Sequence, residues 1–214
     1  MTEKFGHNSL QNRSPRIVIS RSLPGNLEEV LLEVSGVLSG AGIRWVLVGG
    51  AASYLHGLDV EPRDLDVLVE EGRVYEADRL LASRFAVVRR VRYSSSRLYS
   101  SHYGVFVVRG VRVDVMADLE ICGEHGCLKL AFDEVYAQSS VVEVGGAPVR
   151  LIPLEWQLVA NAMIPGKEGR VRAILEALRA RGVDRDALDS ALSYAPAEVR
   201  GLVLGMLRSA GIQD

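Results

Sequence analysis

Cysteine, lysine and long apolar runs are all scarce in this chain of 214 residues. The formal net charge is only −2, so the overall charge does not favour binding to nucleic acid, and any basic surface must be local. No apolar run approaches the ~20 residues that a membrane-spanning helix needs, and the N-terminus has no apolar signal core. We therefore expect a cytoplasmic protein without a membrane partner.

The only two cysteines, Cys122 and Cys127, lie in the segment CGEHGC with His125 between them. Two thiols and one imidazole supply at most three ligands, so a zinc site would need another ligand from elsewhere in the chain. Free thiols in a loop, a local disulfide and a metal site all remain open. We favour free thiols, because disulfides are rare in an ordinary cytosol.

Apolar residues make up 48% of the chain, which is ample for a packed core. The most informative stretch is residues 45–69, WVLVGGAASYLHGLDVEPRDLDVLV. Its first four residues predict a buried strand that stops abruptly at Gly49 and Gly50. Glycine has no Cβ, so this pair indicates a backbone that another group approaches closely. A short helix and a second strand are predicted to follow.

The second strand carries two carboxylates, Asp64 and Asp66, separated by one leucine. Side chains alternate along a strand, so both carboxylates face the same way. At about 4 Å and an effective dielectric near 20 their repulsion costs about 4 kcal/mol. Either one carboxyl is protonated or a cation lies between them, and Mg²⁺ prefers such oxygen ligands.

A third carboxylate, Asp114, lies inside the strand-like run from Val111 to Met116. Aspartate is depleted in strands, so its presence in so apolar a run needs a reason. One reason is a shared metal site. The alternative is an ion pair with an arginine such as Arg112 or Arg63, because buried charges are usually paired.

Together these elements suit a nucleoside triphosphate. The Gly-Gly backbone and the helix start offer N–H groups to phosphate, and we expect Ser53 to add a hydroxyl group. The interpretation assigns Asp64, Asp66 and Asp114 as catalytic residues and metal ligands. Asp114 would complete a second metal site or take the proton from the attacking hydroxyl, as in two-metal catalysis.

In these motifs the sequence resembles the nucleotidyltransferase superfamily of DNA polymerase beta type, and in particular its small prokaryotic minimal or toxin-associated members. That family combines an apolar residue, Gly and Gly or Ser, then a spacer, Asp-apolar-Asp and a later carboxylate. Val48-Gly49-Gly50, Asp64-Leu65-Asp66 and Asp114 follow this order. The resemblance covers residues 44–118, and residues 130–180 also resemble the downstream part of these relatives.

The resemblance implies an α+β fold, with a mixed β-sheet flanked by helices and a C-terminal helical part. It further implies dependence on Mg²⁺ or Mn²⁺, and transfer of a nucleoside monophosphate from an NTP to a hydroxyl of RNA, protein or a small molecule. Gly49, Gly50, Ser53 and Arg63 are the predicted nucleotide-binding residues. A small helical partner protein is a further expectation.

The chain departs from the family pattern at two places. The Arg-x-Thr that many relatives carry before the aspartate pair is replaced by Val60 and Pro62, with Arg63 adjacent. The downstream lysine of the family falls near Asn161, with the basic residues of KEGR as substitutes. These departures motivate an alternative function, a catalytically weak or inert nucleotide-binding module of a toxin–antitoxin-type pair. A glycosyltransferase that holds a metal through Asp-x-Asp is a third interpretation.

Residues 89–103 form a local basic and aromatic stretch of the chain, with four arginines and three tyrosines. One interpretation is an acceptor or RNA surface, because arginine holds phosphate and tyrosine stacks on bases. We favour the other interpretation, a solvated hairpin face, because the net charge is slightly negative.

Three regions are predicted: a loose N-terminal segment (1–24), a nucleotidyltransferase-like α/β domain (25–152) and a helical C-terminal region (153–214). A short edge strand is predicted at 16–20, and a capping box of Asn26 and Glu29 at the first helix. We also expect a tight turn at Arg109-Gly110, Asp118 near a strand end, a helix over 168–181, and a helix capped by Asp184.

Overall fold

The computed structural model describes residues 21–212 and the backbone of residues 17–18. Within these residues the chain forms nine strands and eight helices. The strands are β1 (Ile17–Val18), β2 (Trp45–Val48), β3 (Asp64–Val69), β4 (Ala86–Ser95), β5 (Tyr99–Val108), β6 (Val111–Gly123), β7 (Gly126–Lys129), β8 (Ser140–Val144) and β9 (Ala147–Leu151). The helices are α1 (Leu27–Gly40), α2 (Gly49–Leu55), α3 (Val74–Ala82), α4 (Phe132–Gln138), α5 (Leu154–Ala162), α6 (Glu168–Arg181), α7 (Arg185–Ser193) and α8 (Ala197–Ser209).

The strands form one mixed sheet in the order β1-β8-β9-β2-β3-β6-β5-β4, with β7 paired to β6. Strand β3 runs antiparallel to β2 and parallel to β6, so the three strands of the aspartate motif are neighbours. All four residues of β2 are buried, as expected for a strand in the middle of a sheet. This mixed sheet with flanking helices confirms the predicted α+β fold class.

Helix α5 is the centre of the helical part. Its residues from Leu154 to Ala160 are all buried, and the helix contacts α6, α7 and α8. The Trp156 indole is fully buried, and its Nε1–H donates to Gln138 Oε1 over 2.8 Å. Burial of an indole with its donor satisfied stabilises the junction between sheet and helices. The sheet ends at Leu151 and the later elements are helical, while a separate domain beyond residue 152 stays a prediction.

Several local predictions are confirmed. Arg109 and Gly110 both have positive φ, 50° and 80°, and form the tight turn between β5 and β6. The helix over 168–181 has the predicted bounds, and the Asp184 side chain accepts a hydrogen bond from the Ala187 N–H at the start of α7. The predicted edge strand is confirmed for Ile17–Val18, which pairs with β8. The rest of that strand and residues 1–16 of the predicted loose segment lie outside the described residues.

Two local predictions are wrong. Asn26 precedes α1 but makes no side-chain cap. Its Nδ2 instead donates to the Arg109 carbonyl over 2.8 Å, a partner far away in sequence. Asp118 does not lie near a strand end, because β6 continues to Gly123. Asp118 has a positive φ of 51°, and the pairing of β6 with β5 shifts register nearby, so the position is a bulge within a longer strand.

The prediction of free thiols is also wrong. Cys122 and Cys127 are directly opposite each other on β6 and β7 and are joined by a disulfide. The two-residue turn at Glu124 and His125 connects these strands. A hairpin in place of a loop therefore brings the two sulfur atoms together. None of the helices in the described part of the chain combines the length and apolarity needed to cross a bilayer.

Candidate active site

Three neighbouring strands bring the predicted motifs to one place. Val48, the last residue of β2, is the cross-strand partner of Asp66 on β3. Asp66 in turn is the cross-strand partner of Asp114 on the parallel strand β6. Residues that are far apart in sequence thus form a row across the sheet, and Gly49 follows directly at the start of α2.

The glycine pair packs against the first carboxylate of this row. Gly49 has a φ of 66°, and a Cβ on it would lie 2.0 Å from Asp66 Oδ2. The Gly50 N–H donates to the same carboxylate. The predicted close approach to the glycine backbone is therefore made by the chain's own aspartate. This contact holds Asp66 in place between β2 and α2.

The environment of Asp66 disfavours its charged form. Burial, followed by the nearby charges of Asp64 and Asp114, raises the pKa of Asp66 to about 7. The Arg112 guanidinium and the Gly50 hydrogen bond lower the pKa but do not offset this effect. Mutual repulsion among carboxylates is thus a real feature of the site, as the sequence predicts. A cation near them would relieve it.

Asp114 forms an ion pair with Arg112, which the sequence analysis gave as the alternative to a shared metal site. Its Oδ1 accepts from Arg112 Nε over 2.7 Å, and its Oδ2 accepts from the Tyr103 hydroxyl over 2.7 Å. The second partner, Tyr103, also accepts from Arg112 Nη2 over 2.6 Å. Burial and the Asp114 carboxylate raise the pKa of Tyr103 to about 12, so this phenol stays a donor. Both oxygens of Asp114 are therefore in use.

The carboxylate oxygens are suitable ligands for a hard cation such as Mg²⁺. Their arrangement in the structure does not form a complete metal site. Within residues 17–18 and 21–212, no three His, Cys, Asp or Glu side chains form a cluster ready to hold a metal ion. Asp66 and Asp114 line the same cavity, whereas Asp64 does not. Asp64 is paired in register with Arg112. A metal at Asp114 would have to compete with the Arg112 contact.

A cavity of about 460 Å³ opens beside this row. Strands β2 to β6 form one wall, and the end of α5, the following loop and the start of α6 form the other. Its basic lining residues are Arg89, Lys167 and Arg170, and its hydroxyl-bearing ones are Ser94, Ser96, Tyr99, Ser101 and Tyr103. The cavity thus combines two carboxylates with basic side chains on the opposite wall, a combination that suits a phosphate bridged by a cation.

Ser53 supports this cavity from behind and does not line it. The residue is fully buried, and its Oγ accepts from Arg170 Nη1 over 2.9 Å. The hydroxyl proton lies between two acceptors, Gln157 Oε1 at 2.6 Å and the Gly49 carbonyl at 2.9 Å. Ser53 therefore fixes the position of Arg170 rather than offering a free hydroxyl. Its predicted direct contact with a nucleotide stays a prediction.

Of the other residues that were predicted to bind nucleotide, only one lines the cavity. Gly49 lines the cavity, while Gly50 does not. Arg63 is exposed and also lies outside the cavity lining. On the helical side, the basic residues that share the cavity with Asp66 and Asp114 are instead Lys167 and Arg170, which the sequence offered only as substitutes for a family lysine.

The basic and aromatic stretch is divided between cavity and solvent. Arg89, Tyr99 and Tyr103 line the cavity, although Tyr99 is also exposed to solvent. Tyr93 is 62% exposed, and Arg90 pairs with Asp78 over 2.5 Å. The alternation of strand side chains could have indicated which members share a face. The bulges in β4 and β5 obscure that pattern in the sequence.

A family model described as aminoglycoside-2″-adenylyltransferase matches residues 30–181 of the chain. No curated protein matches this chain. Among solved structures, an inferred nucleotidyltransferase from Thermotoga maritima is similar at 27% identity and a TM-score of 0.58, covering 75% of this chain and 94% of that one.

Two more distant structures agree in fold. An antigenic nucleotidyltransferase-like protein from Paracoccidioides brasiliensis has 18% identity and a TM-score of 0.51, covering 92% of this chain and 94% of that one. ANT(2″)-Ia in complex with adenylyl-2″-tobramycin has 15% identity and a TM-score of 0.50, covering 86% and 98%. The matched region contains the strands and helices that surround the cavity. The chain therefore belongs to the aminoglycoside-2″-adenylyltransferase family and is a nucleotidyltransferase-superfamily protein.

Proposed function

We propose that this protein is a magnesium-dependent nucleotidyltransferase that moves a nucleoside monophosphate from an NTP to an acceptor hydroxyl. One observation carries the proposal. Asp66 and Asp114 are neighbours in register beside Gly49, and they share a cavity with Lys167 and Arg170. Nucleotidyl transfer needs a metal site next to a site for a polyphosphate, and this cavity holds both oxygen ligands and cations.

The residue roles follow from the chemistry of each side chain. Asp64, Asp66 and Asp114 would hold Mg²⁺ or Mn²⁺, because these ions prefer carboxylate oxygens. When bound, the metal supplies polarisation of the phosphoryl oxygens. Arg170, whose position Ser53 fixes, is suited to bind phosphate through its planar guanidinium group. Lys167 adds a second positive charge on the same wall.

Comparison with relatives supports the choice of nucleotide. The matching family is described as adenylyltransferases, and ANT(2″)-Ia has been seen with an adenylylated small molecule. We therefore favour ATP as the donor, with transfer of AMP to a small-molecule hydroxyl. RNA and protein acceptors remain part of the broader proposal.

A second candidate function, nucleotide binding without transfer, is favoured by one contact. Asp114 is held by Arg112 and Tyr103 through both of its oxygens. If these bonds persist when nucleotide binds, they occupy lone pairs of Asp114 and make it a weaker metal ligand and a weaker base. The protein would then bind an NTP and leave it intact. A partner protein in such a system stays a prediction.

Calorimetric titration of each NTP, with and without Mg²⁺, tests the proposal on the full chain. We expect Mg²⁺-dependent binding that Asp66→Asn and Asp114→Asn weaken. Asp118→Asn is the matched control, since Asp118 lies on the same strand but outside the cavity, and asparagine tolerates its positive φ. Equal binding with and without Mg²⁺ in all variants would contradict the metal site.

Release of pyrophosphate distinguishes the two candidates once binding is established. The transferase releases pyrophosphate when a suitable acceptor hydroxyl is present, and the binding module releases none with any acceptor. Arg112→Met sharpens this test, because it removes the ion pair to Asp114. Faster release in this variant would show that the ion pair restrains transfer.

A further inference from the structure

Two buried side-chain nitrogen atoms among the described residues have no hydrogen-bond partner, and both belong to residues of the cavity. They are Arg89 Nε and Gln157 Nε2. A donor that is removed from water and left unpaired is costly, so such atoms are rare and each needs an explanation. Their occurrence at one cavity indicates a ligand that accepts hydrogen bonds there.

Gln157 is the more informative of the two residues. Arg89 places its guanidinium over the Tyr103 ring, 5.3 Å from the ring centre, and this contact accounts for its orientation. Gln157 lies in α5 and is only 3% exposed. Its Oε1 accepts from Ser53 Oγ over 2.6 Å, while its Nε2 has no acceptor. The folded chain therefore keeps a buried donor that it does not itself use.

The donors that the sequence offers to phosphate at the start of α2 are engaged within the chain. The Gly50 N–H donates to Asp66. The Ser53 hydroxyl has its own acceptors, Gln157 Oε1 and the Gly49 carbonyl. The Gln157 amide is thus a donor beside these elements that remains unused.

Gln157 also lies close to the arginine that we propose binds phosphate. Ser53 Oγ connects the two side chains, since it donates to Gln157 Oε1 over 2.6 Å and accepts from Arg170 Nη1 over 2.9 Å. A phosphate held by Arg170 therefore lies a short distance from the amide. The Ser53 proton has a second acceptor in the Gly49 carbonyl at 2.9 Å. The amide can consequently turn away from Ser53 without leaving that hydroxyl group unpaired.

From these contacts we propose that Gln157 is a polyphosphate-binding residue, whose amide turns from Ser53 toward the cavity so that Nε2 donates to an oxygen of a phosphate that Arg170 also holds. The turn is needed because Nε2 is closed to water in its present position. A charged acceptor strengthens such a bond, and burial of the amide keeps competing water away. The inference rests on the proposed function for the identity of the anion, the triphosphate of an NTP.

Inorganic tripolyphosphate is the probe, because it carries the phosphates without base or sugar. Gln157→Met keeps a side chain of similar length and removes the amide. Calorimetry on the full chain should show about tenfold weaker tripolyphosphate binding in this variant, as expected for the loss of one hydrogen bond to a charged group.

Gln138→Met is the matched control for this substitution. Gln138 Oε1 also accepts from a buried donor, the Trp156 indole, but Gln138 lies outside the cavity. The control should bind tripolyphosphate as wild type does. Equal losses at the two positions, or no binding of tripolyphosphate to wild type, would contradict the proposal.

Gln157→Glu distinguishes donation by the amide from a structural role of the side chain. At pH 8 the carboxylate has no proton to donate and repels phosphate, so binding should weaken more than in Gln157→Met. Burial raises the pKa of a carboxyl group, and protonation restores a donor. The ratio of wild-type to Gln157→Glu affinity should therefore shrink toward pH 5, while the ratio for Gln157→Met stays constant. Wild-type affinity of Gln157→Glu at pH 8 would mean that the amide oxygen faces the ligand, and would overturn the proposal.

Nucleotide measurements on the same samples separate this inference from the proposed function. If ATP binds with Mg²⁺ and releases pyrophosphate, but Gln157→Met behaves like its control, the transferase stands and the role of Gln157 is wrong. If tripolyphosphate binding depends on Gln157 but no NTP binds with Mg²⁺, the anion site stands and the transferase proposal fails.

Discussion

The two walls of the cavity differ in charge and in how the chain builds them. The sheet wall carries Asp66 and Asp114 on adjacent strands, whose register places them side by side. The helical wall carries Lys167 and Arg170, which come much later in the chain. Arg170 reaches back over 117 positions in sequence to hydrogen-bond with Ser53. The carboxylates are thus positioned by strand pairing, and the cations by packing of helices.

This difference explains why each wall depends on the other. Carboxylates brought together by strand register repel one another, and this repulsion contributes to the raised pKa of Asp66. Arg112 on the sheet wall offsets part of that repulsion, and Arg170 on the helical wall interacts favourably with the Asp66 charge. Catalytic proteins often place such unfavourable groups in a rigid frame so that a ligand completes the site. The following predictions test the division of roles between the two walls.

The largest effect is expected from the sheet wall. Asp66→Asn removes the charge nearest to Gly49 and should reduce nucleotidyl transfer by about a hundred- to a thousandfold, since a metal ion contributes several kcal/mol to such reactions. Pyrophosphate release measures this. Thermal unfolding should show no loss of stability, because the substitution also relieves repulsion. A loss of transfer in the Asp118→Asn control of the same size would contradict a specific role.

The second prediction concerns the junction between the sheet wall and α2. Gly49→Ala should lower the free energy of unfolding by at least about 2 kcal/mol, because an L-residue is strained at positive φ. Its Cβ would also collide with Asp66 Oδ2.

Gly50→Ala is the matched control for this substitution. The nearest atom to its added Cβ is Pro62 Cα at 4.0 Å, so there is room for the methyl group. We expect unfolding free energy within about 1 kcal/mol of wild type. Urea denaturation compares the two, and similar losses would show that the close approach at Gly49 is not what limits substitution.

The third prediction concerns His56, which ties α2 to the start of the helical part. Its ring is buried, and its Nε2–H donates to the Ile152 carbonyl over 2.8 Å. Burial lowers the pKa of His56 to about 4, although the bond to Ile152 opposes this. The unfolded state, with an ordinary histidine pKa near 6.5, therefore takes up a proton first as the pH falls.

The lowered pKa of His56 therefore predicts that the protein loses stability as the pH falls. Protonation of His56 should lower the free energy of unfolding by about 2 kcal/mol between pH 7 and pH 5, and the loss should be complete near the folded pKa. Urea denaturation at several pH values measures the slope. His56→Gln should remove this part of the pH dependence, and an unchanged slope in the variant would assign it to other groups.

The smallest effect is expected from the helical wall. Arg170→Ala removes one guanidinium from the cavity and should weaken Mg²⁺–ATP binding about tenfold, within the ~1.5–3 kcal/mol of a charge-assisted hydrogen bond. Arg172→Ala is the control, because Arg172 is exposed on the same helix and outside this cavity. Equal affinity in both variants would show that the helical wall does not contact the nucleotide.

Much of the sheet wall could be predicted from the sequence. An apolar run ending in Gly-Gly and an Asp-Leu-Asp segment are local patterns, and local patterns determine which residues share a face. The predicted ion pair of Asp114 with Arg112 was also available, because the two residues share one face of a strand two positions apart. The hairpin at Cys122 and Cys127 was missed because the bulge at Asp118 hides the continuation of β6.

The sequence by itself determined the order of elements, the strand faces of the aspartates and the glycines that lie against them, since these depend on neighbouring residues. Only the tertiary structure decided that Ser53 supports Arg170, that Arg63 lies outside the cavity, and that Ile164 lines it. Those relationships depend on packing between segments about a hundred positions apart. No short-range pattern of the chain encodes such contacts, because many sequences with the same local periodicity can pack in different ways.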